Sequence, residues 1–128
     1  MKLLVDTHLL VWAMLGSSRL PPPAAQLLSA HDLVLSVVSI WEIAIKNALT
    51  RSRDPMKVSA IAMIESWEST GRPILPILPR HAAEVERLPQ LHGDPFDRLL
   101  VAQALSEPLI LITHDKRVAA YSDTFILV

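Results

Sequence analysis

The chain has 128 residues, 51% of them hydrophobic, with a formal net charge of −1 and no cysteine. That length fits one domain spanning residues 1–128, and the lack of cysteine excludes disulfides, thiolate zinc centres and cysteine nucleophiles. No apolar run reaches the ~18 residues of a membrane helix, an acid at Asp6 interrupts any signal-peptide core, and near-neutral charge leaves only a local surface for nucleic acid, so a cytoplasmic protein without membrane attachment is expected.

Residues 2–5 (KLLV) predict a short buried strand that stops at Asp6-Thr7. Residues 8–14 continue apolar as a first helical stretch ending near Gly16, and Pro21–Pro23 introduce a second, AAQLLSA. Residues 33–36 (LVLS) predict the next strand, and Ser39 opens a helix through IWEIAIKNALT, which RSRDP at 51–55 breaks. An amphipathic helix follows over 57–69. Residues 74–78 (ILPIL) predict a strand whose internal proline confines it to a sheet edge. A helix over 81–88, a loop over 89–95 and a helix over 96–106 lead to the strand 109–113 (LILIT), a helix over 115–121 and a closing strand 125–128. Strand and helix signals alternate throughout, which predicts an α/β fold with a parallel sheet.

Four acids stand at the junctions of these elements: Asp6 in LLVD, Glu42 in SIWE, Asp97 in DPFD and Asp115 in ILITHD. In an open α/β sheet such junctions gather at the carboxyl ends of the strands. Three of the four acids have a simpler reading to be weighed. Ser39-Ile-Trp-Glu42 fits a capping box, Asp94-Pro95-Phe96-Asp97 fits a helix start with Asp94 as its cap, and Asp115 can cap the helix after LILIT. Asp6 lacks an obvious helix start that needs it, and an ionised carboxylate at a buried strand end is costly unless paired or metal-bound. Four carboxylates together imply a divalent cation, and an oxygen-rich, thiol-free set suits Mg²⁺ or Mn²⁺ and hence phosphate chemistry. Thr7, Ser39 and Thr113 are placed to hydrogen-bond a ligating carboxylate, although Ser39 also reads as a helix cap and Thr113 as an ordinary strand residue. Arg98, Lys116 and Arg117 are placed to touch substrate phosphates or to be solvated helix charges, and Lys46 is spaced to pair with Glu42. The five histidines lack zinc-protease spacing, and the three glycines exclude glycine-rich phosphate loops. The three tryptophans, at 12, 41 and 67, read as core or interface residues rather than base-stacking platforms.

Taken in order, LLVDTHLLVW, SVVSIWEIAIK, HGDPFDRLLVAQAL and ILITHD resemble the PIN-domain family, and specifically its VapC-type toxins. The resemblance spans the whole chain and is weakest over residues 51–58. It implies a three-layer α/β/α sandwich with a parallel sheet of about five strands. It also implies a Mg²⁺- or Mn²⁺-dependent ribonuclease, the toxin of a type II toxin–antitoxin pair. Such an enzyme cuts RNA phosphodiesters with a metal-activated water, is inhibited by a cognate antitoxin and forms a homodimer. Carried over by position, the family's catalytic and metal-binding acids fall on Asp6, Glu42, Asp97 and Asp115. A metal-dependent phosphatase, a DNA-directed nuclease and a non-catalytic interaction module stay open as alternatives.

Overall fold

In the computed structural model, which describes residues 2–49 and 56–128, five short strands form one sheet in the order β3-β2-β1-β4-β5. The strands are β1 (Lys2–Val5), β2 (Asp32–Ser36), β3 (Ile74–Leu75), β4 (Ile110–Thr113) and β5 (Ile126–Leu127). All neighbours pair in parallel. β3 sits at an edge, where the missing N–H of Pro76 breaks no ladder, as the internal proline requires. The strand predicted over 74–78 and the one over 125–128 both shorten to two residues.

Among the described residues, seven α-helices cover the sheet: α1 (Thr7–Leu15), α2 (Pro22–Ala30), α3 (Val37–Ala48), α4 (Ala60–Glu68), α5 (Pro79–Glu84), α6 (Pro95–Ser106) and α7 (Lys116–Ala119). A 3-10 turn, Val85–Arg87, extends α5. The break expected at 51–55 lies outside the described residues. Alternation along β1 sets the layers, because successive side chains point to opposite faces. Leu3 and Val5 enter a core with Leu9, Leu28, Met63 and Trp67, from α1, α2 and α4. Leu4 enters the other with Leu100, Val101, Leu111 and Val118, from α6, β4 and α7. Each such leucine, fully buried, contributes roughly 1.5–3 kcal/mol. This is the expected three-layer sandwich.

Two helix starts differ from expectation. α3 begins at Val37, capped by Ser36, whose Oγ accepts from Val38 N at 2.9 Å. Ser39 therefore lies inside the first turn and Glu42 in the second, so the capping box does not form. Conversely, Asp6 does cap a helix: its Oδ1 accepts from His8 N at 3.4 Å at the start of α1. The apolar run HLLVWAM hides that helix start, since it lacks the polar face that usually announces one.

Candidate metal and catalytic site

The register of the sheet puts Asp6 beside the end of β4. Val5 pairs with Ile112, and Asp6 N donates to Ile112 O at 3.0 Å. Thr113 then links two of the acids. Its Oγ1 donates to Asp6 Oδ2 at 2.5 Å and accepts from Asp115 N at 3.0 Å. Asp115 in turn caps α7 through Arg117 N at 2.8 Å. Asp94 caps α6, accepting from Phe96 N at 2.8 Å and Asp97 N at 3.1 Å, and so sets the first turn that carries Asp97.

Glu42 has no capping role. It is 1% exposed on the buried face of α3, where Oε2 accepts from Lys46 Nζ at 2.5 Å and Oε1 has no hydrogen-bond partner among the described residues. Burial works to lower the Lys46 ammonium, but the Glu42 contact and the charges of Asp94 and Asp97 outweigh it and hold the group above its ordinary value. Thr7 donates to Ser39 at 2.8 Å, a buried link between α1 and α3. Of the expected neighbours, Thr113 bonds one of the acids, whereas Thr7 and Ser39 bond each other.

The electrostatics are those of an anionic cluster that Lys46 compensates only in part. Burial first, then the carboxylates of Asp6, Asp94, Glu42 and Asp115, push Asp97 up to about 8. Asp6 is also raised, chiefly by burial and further by Glu42, while its bond from Thr113 and the charge of His8 work in the opposite direction. The four acids singled out in the sequence therefore converge.

One member of the site escapes the sequence reading. His92, in the loop before α6, has a side chain only 7% exposed, with Nε2 2.8 Å from Asp97 Oδ2 and 3.4 Å from Asp115 Oδ2. Neither approach is aligned as a hydrogen bond, and Nε2 is unpartnered among the described residues. One donor atom each from His92, Asp97 and Asp115 lies within 4.8 Å of the others, a spacing that suits a shared cation. The available signal is a histidine two residues before the Asp94 cap; a search for paired-histidine spacing misses it, because its partners come from other elements.

Arg98 corrects an expectation. It faces neither phosphate nor solvent: buried, it donates from Nη1 to Pro89 O, His92 O and Tyr121 Oη at 3.0–3.4 Å and from Nη2 to Val85 O at 3.2 Å. It braces the loop that carries His92. Lys116 and Arg117 are exposed and line the cavity described next.

That cavity has a volume of about 770 Å³ and opens over Asp6, Asp97 and Asp115. It is lined as well by Trp12, Arg19, Lys57 and His114. Two buried orphan polar atoms and a carboxyl held near 8 mark a site whose donors fit a hard or borderline divalent cation.

A family model, the PIN domain, matches residues 3–123. The chain belongs to the PIN domain family. Among curated members of comparable length, it is 28% identical over 120 residues to Ribonuclease VapC22 of Mycobacterium tuberculosis, covering 92% of this chain and 90% of that one. The fold of this PIN domain is also that of FitAcB from Neisseria gonorrhoeae, with a TM-score of 0.67 at 19% identity over 98% of this chain and 96% of that one. It matches as well the structure of VapBC2 from Rickettsia felis bound to a promoter DNA fragment, with a TM-score of 0.65 at 16% identity over 100% and 98% of the two chains. Among the described residues, no helix is long and apolar enough to cross a membrane.

Proposed function

We propose that this PIN domain is a divalent-metal-dependent endoribonuclease, the toxin of a type II toxin–antitoxin pair, acting in the cytoplasm on RNA phosphodiesters. The observation that carries this reading is the anionic cluster at the sheet edge, where Asp97 is held near 8 and Glu42 Oε1 and His92 Nε2 are buried without partners among the described residues. Such an arrangement is unfavourable until a cation occupies it. The relatives support the choice of substrate and partner, since one is named a ribonuclease and another is a VapBC complex.

Asp97, Asp115 and His92 would hold the cation, with Asp6 and Glu42 completing its charge balance. When bound, Mg²⁺ or Mn²⁺ supplies neutralisation of the phosphate charge and acidification of water. Thr113 keeps Asp6 and Asp115 in a fixed relation through its two hydrogen bonds. Lys46 holds one oxygen of Glu42 and leaves the other free to accept. Asp94 fixes the first turn of α6 and so the direction of Asp97. The cation-bearing wall of the cavity takes the flanking phosphates, which permits local RNA contact at a net charge of −1.

The test is cleavage of RNA, DNA and a phosphomonoester, each with Mg²⁺, with Mn²⁺ and with EDTA. RNA cleavage that EDTA stops supports the reading. Preferential cleavage of DNA or the monoester, or no measurable ion affinity, overturns it in favour of another phosphoesterase or an interaction module. Co-expression with a short neighbouring open reading frame should relieve growth arrest if that frame encodes the antitoxin. Sedimentation tests the expected homodimer.

A further inference from the structure

A metal and one phosphate need far less room than the 770 Å³ cavity offers. The surplus space is bounded by Trp12, whose ring is met edge-on by His114 at 5.5 Å between centroids and covered by the Arg19 guanidinium at 5.3 Å. His8 lies tilted on the same ring at 6.0 Å. Trp12 follows the Asp6 cap by six residues on α1, a rise of ~9 Å along the helix axis.

The position of Arg19 is built into the chain. Gly16 ends α1 in the left-handed region at φ 61°, with its N–H on Ala13 O and that of Ser17 on Trp12 O. Ser17 Oγ then accepts from Arg19 N at 3.1 Å, and Leu20 N returns to Ser17 O at 3.2 Å. The chain reverses over its own last helical turn, and Arg19 comes to lie on Trp12. A flat aromatic ring carrying a flat cation is the surface on which an unpaired nucleobase stacks, and the stacking tolerates any base because each has a π face.

Resting on the ribonuclease reading, we propose that Trp12, Arg19 and His114 form a subsite that binds one unpaired base next to the scissile phosphodiester. Arg19, which covers the Trp12 ring, presents the face on which the base stacks, and Trp12 backs it. His114 borders the ring at its edge. Base-paired RNA cannot present a free face there, so the subsite selects loops and single strands over duplex.

Binding is measured on metal-free protein with EDTA, by Trp fluorescence and by anisotropy of labelled oligomers. The probes are oligouridylate, oligoadenylate, a blunt RNA duplex and base-free polyphosphate of matched charge. Expected results are quenching by both single strands and little by duplex or polyphosphate. Trp12→Leu and Arg19→Ala should each weaken single-strand binding about tenfold, with Trp12→Phe restoring most of it. Arg19 is exposed, so its substitution leaves the fold intact even where Trp12→Leu disturbs packing. Equal quenching by polyphosphate, or unaltered single-strand affinity in Arg19→Ala and in a folded Trp12→Leu, overturns the subsite. Loss of binding in these variants while wild type cuts RNA supports it. If the wild type neither binds nor cuts RNA, the ribonuclease reading itself has failed.

Discussion

Two buried polar clusters of this molecule contrast sharply. The first, at the carboxyl edge of the sheet, gathers Asp6, Glu42, His92, Asp97 and Asp115 and leaves Glu42 Oε1 and His92 Nε2 unpartnered among the described residues. The second ties α3, α5 and α6 together and has a partner for each group. Ser36 Oγ donates to Gln103 Oε1, and Gln103 Nε2 donates to Pro76 O at 3.2 Å. His81, fully buried, accepts from Leu78 N at 3.0 Å through Nδ1 and therefore presents Nε2–H to Glu107 Oε2 at 2.5 Å. The hydrogen bond from His81 and then the contact with Arg80 hold Glu107 below its ordinary value, whereas burial and like charges lift Asp97 to about 8. Satisfied polar networks specify a scaffold. Unsatisfied ones of a single sign need a ligand to complete them.

The comparison breaks first at activity. Asp97→Asn or Asp6→Asn should lower RNA cleavage at saturating metal by at least about a hundredfold, with circular dichroism unchanged. Wild-type rates in both would remove the metal site from the mechanism. Substitution in the other cluster should act on stability instead. His81→Leu leaves Leu78 N–H without its acceptor and should destabilise by roughly 1–3 kcal/mol in urea unfolding, with cleavage per folded molecule unaltered. A His81 variant that folds normally but cuts slowly would erase the distinction between the clusters.

How much of this is legible in the sequence depends on the residue. The four acids converge as their junction positions imply, because a parallel sheet brings strand ends to one edge. Their local roles are harder to read. In sequence Glu42 reads as a capping partner of Ser39, yet the helix cap lies three residues earlier at Ser36, which the pattern S-x-x-E passes over because Ser39 stands where the acid would be. Asp6 reads as uncapping because an almost wholly apolar α1 carries no amphipathic signature. Arg98 reads as a phosphate contact or a solvated helix charge, but its direction depends on a loop whose carbonyls only the tertiary fold presents. His92 is invisible for the same reason: its partners lie on α6 and after β4.

Acidity should separate the clusters next. The folded Asp97, raised from 3.8 to about 8, keeps a proton that the unfolded chain has released. Metal-free protein therefore loses stability as pH rises through that window. The loss between about pH 5 and about pH 8 should be roughly 1–3 kcal/mol, reduced from the full linkage value because the side chain is partly solvated. Thermal unfolding in EDTA reads this, and Asp97→Asn should flatten the slope. Adding Mn²⁺ or Mg²⁺ at about 100 times its dissociation constant should restore about 2.7 kcal/mol. A slope that Asp97→Asn leaves intact would place the titration elsewhere.

The smallest effect is the most diagnostic of sign. Replacing one carboxyl group of each cluster by an amide, in Asp97→Asn and in Glu107→Gln, is the same chemical change in two environments. At neutral pH without metal, the first should raise the melting temperature, because burial and the surrounding carboxylates make the folded chain hold a proton on Asp97 that the unfolded chain releases, and an amide carries no such cost. The second should lower it, because Glu107 accepts from both His81 and Arg80. The Glu107 decrease should be small, about 0–1 kcal/mol, since Arg80 is 59% exposed and the pair is screened. The amide oxygen that this substitution introduces can also still accept from His81. Glu107 stabilises above its unfolded value, and that contribution fades as pH falls through its lowered folded value, the reverse of the Asp97 slope. Two substitutions of like chemistry that shift the melting temperature in the same direction would show that the clusters do not differ in the way their hydrogen bonding implies.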